Sequence, residues 1–313
     1  MLRQLILLIF LLLSGCASEP TVFELNGRTM GTSYQIKTVG TAVERAEVEQ
    51  VLTRVDQTFS NWDANSEISR LNRNPSEDWI SVSSALFKLL VQSQQLHQST
   101  QGYFDPGLGQ LIDLWGFGPK QVETPPDAKQ VVQVLQSASI ARLQLIEGRV
   151  KKPKSLQLNL SAIAKGYAID QLALLLEGQG IAHFMIEIGG EVLGRGTRAG
   201  TPWQVGIEMP AGQLPKSIEL RNQAVATSGD YRNYWQYQGQ RYAHILDPHT
   251  GFPADSDIAS VSVVSHSAAL SDAYATAMQA MGSKKALQLA QQLGLQVVIV
   301  LNDQHQHQVL SRQ

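Results

Sequence analysis

Asn159-Leu-Ser-Ala-Ile-Ala-Lys-Gly-Tyr-Ala-Ile-Asp170 joins two kinds of pattern across a turn of small residues. Before the turn, leucines stand at every second position from Leu156, which predicts a β-strand. After it, apolar residues follow helical spacing from Ser161 to Gly178. The first amides of a helix and the positive end of its dipole attract anions, and Lys165 adds a full charge. The stretch therefore predicts a phosphate site, unless Ser161 is only a helix cap and Lys165 a solvated side chain.

The segments around this stretch alternate between strand and helix patterns without a regular βα repeat. Turn residues indicate hairpins at 147–148 and 238–240. Frequent hairpins and an irregular order predict an α+β fold with a mostly antiparallel sheet and packed helices. Strands are expected within 27–37, 183–188, 203–209, 217–226, 258–264 and 295–301, and further helices at 44–59, 83–96, 127–137, 270–281 and 284–293.

The composition is that of an ordinary folded protein of 313 residues, with 43% apolar and 17% charged side chains. This length allows one large domain or two closely joined ones. The formal net charge of −2 provides no basic field, and no local cluster of Lys and Arg replaces it. Binding to nucleic acid is therefore not expected.

The N-terminus has the pattern of an export signal. Met1-Leu-Arg3 gives a positive start, and residues 4–13 form an apolar run that is too short to span a membrane. Leu13-Ser-Gly-Cys16 resembles the lipobox of bacterial lipoproteins, in which the chain is cut before the cysteine and the cysteine is acylated, for example with palmitate. The sequence contains no other cysteine. These features predict a signal peptide at 1–15, a lipidated tether at 16–26 and one folded domain at 27–313.

Two further groups of residues could take part in chemistry. Asp272 and Thr276 are four residues apart, so a helix would place a carboxylate and a hydroxyl on one face. Such oxygen ligands suit Mg²⁺, although capping aspartates and mid-helix threonines are common without any metal. His244 ends a predicted strand, where its imidazole could act as a base near neutral pH or have a structural role alone.

Short motifs occur along the chain in one order: Met30-Gly-Thr, 61–71, Phe104-Asp-Pro with 114–118, 160–167, Ile188-Gly-Gly190, Thr227-Ser-Gly229, 244–251 and 271–276. Considered together, these segments resemble the bacterial FAD:protein FMN transferases, the ApbE family. They occur in that family's order, cover nearly all of the chain after the lipobox, and form a specific combination.

The resemblance implies a T-fold-like α+β enzyme that binds FAD and transfers its FMN moiety to a Ser or Thr hydroxyl of a target protein, releasing AMP. It also implies a Mg²⁺ ion held by the backbone carbonyl of Ala162 and by the side chains of Asp272 and Thr276. The glycine-rich turns at 189–190 and at Ser228-Gly229 are expected to let the backbone close over the flavin. The FAD contacts implied are Met30, Trp62, Tyr103, Phe104, Asp105, Asn159, Lys165 and Leu246.

Within this interpretation, Lys165 is the expected electrostatic partner of the phosphates and His244 the expected base for the acceptor hydroxyl. Two residues depart from the family pattern. The family usually has an aspartate at the position of Asn159, and commonly a tyrosine at that of Trp62. Asn159 supplies hydrogen bonds but no charge, whereas Trp62 keeps a stacking surface for a flavin or adenine ring.

Many members of the family are periplasmic lipoproteins, so we expect a lipid-anchored protein on the periplasmic side of a bacterial membrane, more often the inner one. The expected partner is a periplasm-facing acceptor protein, typically a subunit of a membrane redox complex. Two other functions stay open on sequence grounds. One is an FAD pyrophosphatase that yields FMN and AMP, and the other is a non-catalytic periplasmic lipoprotein that binds flavin.

Overall fold

The computed structural model describes residues 21–120, 122–207, 216–229, 233–302 and 309–312. The predicted signal peptide at 1–15, Cys16 and the tether as far as residue 20 lie outside the described residues. The predicted end of one strand at 209 does so too. None of the described helices is long and apolar enough to cross a membrane.

Helices and strands are interleaved along the described chain. The helices are α1 (Arg45–Phe59), α2 (Glu67–Arg73), α3 (Ser84–Ser99), α4 (Gly109–Leu114), α5 (Ala128–Leu135), α6 (Ser161–Gly178), α7 (Ala268–Met281) and α8 (Ser283–Leu293). The strands are β1 (Val22–Thr29), β2 (Thr32–Val39), β3 (Ile80–Ser81), β4 (Gln144–Ile146), β5 (Arg149–Lys151), β6 (Phe184–Ile188), β7 (Glu191–Arg195), β8 (Thr197–Arg198), β9 (Thr201–Ile207), β10 (Lys216–Leu220), β11 (Ala224–Gly229), β12 (Tyr234–Tyr237), β13 (Gln240–Ala243), β14 (Ile258–Ser265), β15 (Gln296–Leu301) and β16 (Val309–Arg312).

Eight strands form one sheet in the order β1-β2-β6-β7-β11-β14-β15-β16. Every neighbouring pair in it runs antiparallel. The smaller sheets β10-β9-β8, β12-β13 and β3-β5-β4 are antiparallel as well. The predicted α+β fold with a mostly antiparallel sheet is therefore confirmed.

The two faces of the large sheet bury different neighbours. In β7, Leu193 belongs to the main core with α6 and α7, whereas Val192 belongs to a second core with β9 and β10. Val263 and Val264 of β14 divide in the same way. This period of two arises because successive side chains of a strand point to opposite faces. Helices therefore cover one face of the sheet, and the β10-β9-β8 sheet covers the other.

A third cluster holds the loop that follows the β12-β13 hairpin. Trp115 is buried, and its Nε1 donates a hydrogen bond to the carbonyl oxygen of Gly251 at 2.8 Å. Trp235 of β12 donates from Nε1 to the carbonyl oxygen of Trp115 at 3.0 Å and stacks on Tyr242, with ring centroids 4.9 Å apart. Large aromatic rings with satisfied N–H groups make a rigid support. The hairpin and the loop at 244–251 are therefore held against α4 and α5.

Helices α6 and α7 approach each other very closely at Gly166. A Cβ atom there would lie 2.3 Å from the carbonyl oxygen of Ala268 and 2.6 Å from Cα of Ala269, so a side chain does not fit. One turn further along α6, Asp170 accepts hydrogen bonds from the N–H groups of Ala268 at 2.8 Å and Ala269 at 3.1 Å. It also accepts one from the hydroxyl of Ser267 at 2.6 Å. A carboxylate on α6 thus caps the start of α7.

The alternating leucines before α6 do not form a strand, contrary to the prediction. Residues 156–160 bury their three leucines, and within the described residues the segment forms one isolated β-bridge, at Gln157. Side chains replace the strand partner: the N–H of Leu158 donates to Oδ1 of Asn72 at 2.8 Å. The carbonyl oxygen of Leu158 accepts from Nδ2 of Asn72 at 2.7 Å and of Asn61 at 2.9 Å. The leucines alternate with polar residues here because one side of the segment is buried, and not because the segment pairs with a neighbouring strand.

Other differences concern the limits of elements. Strand β1 begins at Val22, so the predicted tether through residue 26 extends too far. The strand predicted at 217–226 is two strands in different sheets, because the turn between β10 and β11 places Asn222 at φ 58°. Strand β16 follows β15, which the sequence pattern makes the last strand. The sequence also gives no prediction for α2 or β7.

Replacing Asp170 by alanine is expected to lower the free energy of unfolding by about 1–3 kcal/mol, because three donors at the start of α7 lose a charged acceptor. Chemical denaturation followed by circular dichroism measures the loss. Asp127→Ala is the matched control, since Asp127 caps the start of α5 at an exposed position. Its loss should be smaller, and equal losses in the two variants would contradict the role given to Asp170.

Candidate active site

The predicted site residues gather around one cavity of about 410 Å³. The walls of this first cavity come from the start of α6, from α7, from the end of β11, from the turn after α3 and from the loop after the β12-β13 hairpin. Segments from distant parts of the chain therefore meet in one place. The predicted residues that line the cavity are Trp62, Tyr103, Phe104, Asp105, Asn159, Ala162, Lys165, Ser228, Gly229, His244, Leu246, Asp272 and Thr276.

Met30 is the predicted contact that the first cavity does not include. It lines a second cavity of about 680 Å³. Trp62, Asn159, Ser161 and Lys165 line both cavities, so the two share a wall. The side chain of Trp62 stands at this wall with 69% of the residue exposed, where its indole face can meet a ligand ring.

The first cavity lies where two neighbouring strands of the large sheet separate. Within the described residues, β7 and β11 are joined by two residue pairs, the last one at Val192 and Val225. Beyond that pair, Glu191 of β7 and residues 227–229 of β11 line the cavity. The sheet thus forks, and the gap between its strands provides part of the cavity wall.

The start of α6 is capped by Asn159, not by Ser161. Oδ1 of Asn159 accepts hydrogen bonds from the N–H of Ser161 at 2.9 Å and from its hydroxyl at 2.5 Å. Ser161 is the first residue of the helix, and Leu160 precedes it without a side-chain cap. The alternative in which Ser161 serves only as the cap is therefore wrong. Asn159 also lines both cavities, so one amide side chain supports the helix start and faces the site.

Lys165 forms an ion pair through its Nζ with Oε1 of Glu191, so it is not merely a solvated side chain. The side chain of Glu191 is 5% exposed and that of Lys165 is 29% exposed. Burial raises the pKa of Glu191 to about 7; Lys165 lowers it, and Asp272 raises it further. Burial outweighs the attraction of Lys165 because removing a carboxylate from water is so unfavourable. Oε2 of Glu191 has no hydrogen-bond partner among the described residues.

Asp272 and Thr276 both line the cavity from α7, as their spacing predicts. Asp272 is 4% exposed, and its Oδ2 accepts a hydrogen bond from the N–H of Gly166 at 3.2 Å. Burial raises the pKa of Asp272, while Lys165 and that N–H act in the opposite direction. The hydroxyl of Thr276 lies 3.3 Å from the hydroxyl of Ser228 on β11. A carboxylate and two hydroxyls therefore lie together at this end of the cavity.

These oxygen atoms fit a Mg²⁺ ion. In a regular helix the N–H of Gly166 bonds to the carbonyl oxygen of Ala162, so Asp272, which accepts from the same N–H, lies next to that carbonyl. The described residues include no cluster of three or more His, Cys, Asp or Glu side chains that could hold a metal ion. Mg²⁺ does not need one, since it commonly binds one or two carboxylates together with waters and substrate phosphates.

His244 faces the cavity from the loop after β13. Its Nδ1 lies 3.0 Å from the carbonyl oxygen of Asn233, and Phe117 packs against the ring with centroids 6.3 Å apart. Because a carbonyl oxygen only accepts, Nδ1 carries the hydrogen of the neutral ring and Nε2 carries the lone pair. The imidazole is thus oriented to take up a proton at Nε2.

The turn at 103–105 contributes to the cavity in a different way. Oδ1 of Asp105 accepts hydrogen bonds from the N–H groups of Gly107 and Ile140, both at 2.7 Å. Its Oδ2 lies 3.3 Å from Nδ1 of His97. Burial raises the pKa of Asp105, and the N–H of Ile140 opposes that shift most strongly. The carboxylate is therefore engaged in holding the loop, which leaves the Tyr103 ring and the backbone to face a ligand.

Glu191 is the main residue of the site that sequence patterns do not reveal. The only signal is a carboxylate directly after the pair Gly189-Gly190, which reads as a loop. Its partner Lys165 lies 26 residues away on another element. The spacing of residues in the sequence cannot predict this ion pair between a helix and a strand, because the pairing depends on how α6 crosses the sheet. Asn233, which orients His244, has no sequence signal either.

Comparisons with known proteins find relatives along most of the chain. The model of the ApbE family matches residues 30–299. A protein of Vibrio cholerae named FAD:protein FMN transferase is 36% identical over 93% of this chain and 91% of its own length. One of the same name from Haemophilus influenzae is 34% identical over 92% of this chain and 89% of its own length.

Solved structures show the same architecture. The flavin transferase ApbE from Vibrio cholerae superposes with a TM-score of 0.87 at 32% identity, covering 93% of this chain and 97% of that one. The apo flavinyl transferase ApbE from Pseudomonas stutzeri also has a TM-score of 0.87 and 32% identity, covering 94% of this chain and 95% of that one. Sequence and fold thus agree, and the chain belongs to the ApbE family.

Proposed function

We propose that this protein binds FAD and transfers its FMN moiety to a Ser or Thr hydroxyl of a target protein, with AMP as the second product. The observation that carries the proposal is the meeting of Lys165, His244, Asp272 and Thr276 at one cavity. Its relatives in Vibrio cholerae and Haemophilus influenzae are named for this reaction. Membership of the ApbE family makes the chain a flavin transferase.

The shared wall of the two cavities suits a dinucleotide. FAD carries two ring systems joined by a ribityl chain, a pyrophosphate and a ribose. We propose that one ring occupies each cavity and that the pyrophosphate crosses the wall lined by Asn159, Ser161 and Lys165. There the first turn of α6 and the ammonium group of Lys165 both favour negative charge.

The reaction needs one bond to form and one to break. The acceptor oxygen bonds to the phosphorus on the FMN side, and the bond from that phosphorus to the bridging oxygen breaks. AMP leaves with the bridging oxygen, and the proton of the acceptor hydroxyl moves to Nε2 of His244. Such transfers depend mostly on alignment of the groups and on stabilisation of charge.

Mg²⁺ would be held by the side chains of Asp272 and Thr276 and by the carbonyl oxygen of Ala162. When bound, it would neutralise charge on the pyrophosphate and on the departing AMP. The protein's own residues supply the remaining steps. Lys165 binds the phosphates, His244 accepts the proton, and Tyr103 and Leu246 bound the first cavity where one ring system lies.

We further propose that the acceptor is a periplasm-facing protein, a subunit of a membrane redox complex, and that a lipid on Cys16 anchors the enzyme to the membrane. The sequence before residue 17 supports this placement. An anchored enzyme would meet its acceptor at the membrane surface. Strand β1 begins at Val22, so few residues would separate the lipid from the folded domain.

A product assay tests the function. The purified protein is incubated with FAD, Mg²⁺ and the periplasmic domain of a redox-complex subunit. Flavin fluorescence on the acceptor band of a denaturing gel is the expected result. Free FMN and AMP without labelled acceptor would instead identify an FAD pyrophosphatase, and bound but unchanged FAD would identify a flavin-binding protein.

Asp272→Ala is expected to abolish flavin transfer while FAD binding is only weakened, because the metal loses its carboxylate but the ring sites remain. Fluorescent labelling of the acceptor measures transfer, and quenching of flavin fluorescence measures binding. Asp272→Asn, which keeps the shape but not the charge, should behave in the same way. An unchanged rate in Mg²⁺ for either variant would refute the metal assignment.

His244→Ala is expected to slow transfer by about 10²–10⁴-fold, the usual contribution of a general base. FAD affinity should stay close to that of the unmodified protein, since the base acts on the acceptor. His266→Ala is the control, because His266 is exposed and outside both cavities. If His244→Ala loses affinity and rate to the same extent, the histidine is a binding residue and not the base.

Cys16→Ser is expected to move the protein from the membrane fraction to the soluble periplasmic fraction, because serine cannot carry the thioether-linked lipid. Fractionation followed by immunoblotting measures the distribution. Transfer to a soluble acceptor domain should continue at the original rate. Retention of the variant in the membrane fraction would argue against the lipid anchor.

A further inference from the structure

The two cavities contain little positive charge for a site that is expected to bind phosphates. Lys165 is the single Lys or Arg among the described residues that line either one. Carboxylates are more numerous, and the lining residues that carry one are Asp56, Asp63, Asp105, Glu191 and Asp272. Among the described lining residues, carboxyl groups therefore outnumber cations, which disfavours a pyrophosphate.

Among the described lining residues, Glu191 forms an ion pair with Lys165. Its Oε1 pairs with the ammonium group, and its side chain is 5% exposed. In a buried environment an ion pair of this kind is screened only weakly, so it cancels much of the field that Lys165 would otherwise project into the cavities. Asp105 differs because the N–H groups of Gly107 and Ile140 donate hydrogen bonds to its carboxylate.

We propose that Glu191 is a specificity-determining residue whose carboxylate offsets Lys165, so that the phosphates of a dinucleotide bind tightly only together with a divalent cation. This inference rests on the proposed function, since it takes FAD and Mg²⁺ as the ligands. It assigns to Glu191 no contact with the reacting atoms. The residue acts through Lys165 and through the charge that the site presents before the cation arrives.

Two structural details support an adjustable carboxylate at this position. Oε2 of Glu191 is buried and has no hydrogen-bond partner in the described part of the chain, so the group is not locked there as a fully satisfied anion. The backbone beside it is a Gly189-Gly190 turn, and a Cβ at Gly189 would lie 2.9 Å from Thr32 and 3.5 Å from Oε2. The turn therefore keeps the carboxylate close to the cavity wall without a side chain between them.

The test measures FAD affinity by flavin fluorescence in EDTA and in Mg²⁺, apart from any turnover. The unmodified protein should bind FAD weakly in EDTA and much more tightly in Mg²⁺. Glu191→Gln should bind FAD in EDTA about tenfold more tightly or better, because one charge close to the phosphates is removed. Its affinity in Mg²⁺ should change little, and riboflavin, which has no phosphate, should bind both proteins equally.

Glu177→Gln is the matched control, since Glu177 pairs with Arg195 at 3.3 Å on the surface with 46% of its side chain exposed. It should leave all these affinities unchanged. Unchanged or weaker FAD binding by Glu191→Gln in EDTA would overturn the inference. An equal change for riboflavin would do so as well, because it would indicate altered packing and not altered charge.

A pH series on the unmodified protein gives a second test that needs no variant. The charged groups that act on Glu191 are Lys165 from α6 and Asp272 from α7. With a pKa of about 7, Glu191 is neutral below that pH and charged above it. FAD affinity in EDTA should therefore rise as the pH falls through about 7, while the pyrophosphate keeps its charge. An affinity that does not change across this range would contradict the inference.

The two proposals fail in different ways. If the unmodified protein does not bind FAD even with Mg²⁺, or labels no acceptor, the proposed function is wrong. If it binds and transfers FMN but Glu191→Gln shows the same dependence on Mg²⁺, only the role of Glu191 is refuted.

Discussion

The approach of α7 to α6 at Gly166 is the constraint on which the site depends. A Cβ at Gly166 would lie 2.3 Å from the carbonyl oxygen of Ala268, so any side chain would push the helices apart. Asp170 holds the start of α7 at the same junction, and Asp272 accepts from the N–H of Gly166. The proposed metal ligands on α7 therefore take their position from α6. The same helix presents Lys165, so the residues proposed to bind phosphate and metal share one rigid junction.

The sequence predicts those parts of this arrangement that depend on local spacing. Helix α7 with Asp272 and Thr276 on one face, the hairpin turns and the α+β class all follow from such patterns. The alternating leucines at residues 156–160 predict a strand that does not form. The backbone N–H and carbonyl groups of Leu158 bond to the side chain of Asn72 and not to a neighbouring strand. The role of Glu191 is not predicted for a related reason, because its pairing with Lys165 depends on how α6 crosses the sheet. Contacts between elements that are distant in sequence produce no repeating pattern of residues from which they could be predicted.

Buried carboxylates are unfavourable for folding unless other groups stabilise their charge. Asp105 accepts hydrogen bonds from the N–H groups of Gly107, in its own loop, and of Ile140, from a distant segment. Asp272 and Glu191 meet this requirement less fully: Asp272 accepts from the N–H of Gly166 at 3.2 Å, and Oε2 of Glu191 has no hydrogen-bond partner among the described residues. Natural proteins tolerate such groups mainly where ligands complete their surroundings. Asp105 therefore supports a loop. Asp272 and Glu191 instead have surroundings that a cation and a phosphate ligand would complete.

The fork between β7 and β11 has a consequence for the mechanics of the molecule. The eight-stranded sheet consists of two four-stranded halves, β1-β2-β6-β7 and β11-β14-β15-β16, and within the described residues two residue pairs join them. A ligand in the first cavity touches both halves at once, through Glu191 on one side and residues 227–229 on the other. It would therefore link the two halves at the place where two residue pairs between β7 and β11 join them within the described residues. Amide hydrogen exchange in β7 and β11 would slow on binding, so that backbone protection of these two strands would report occupancy of the first cavity.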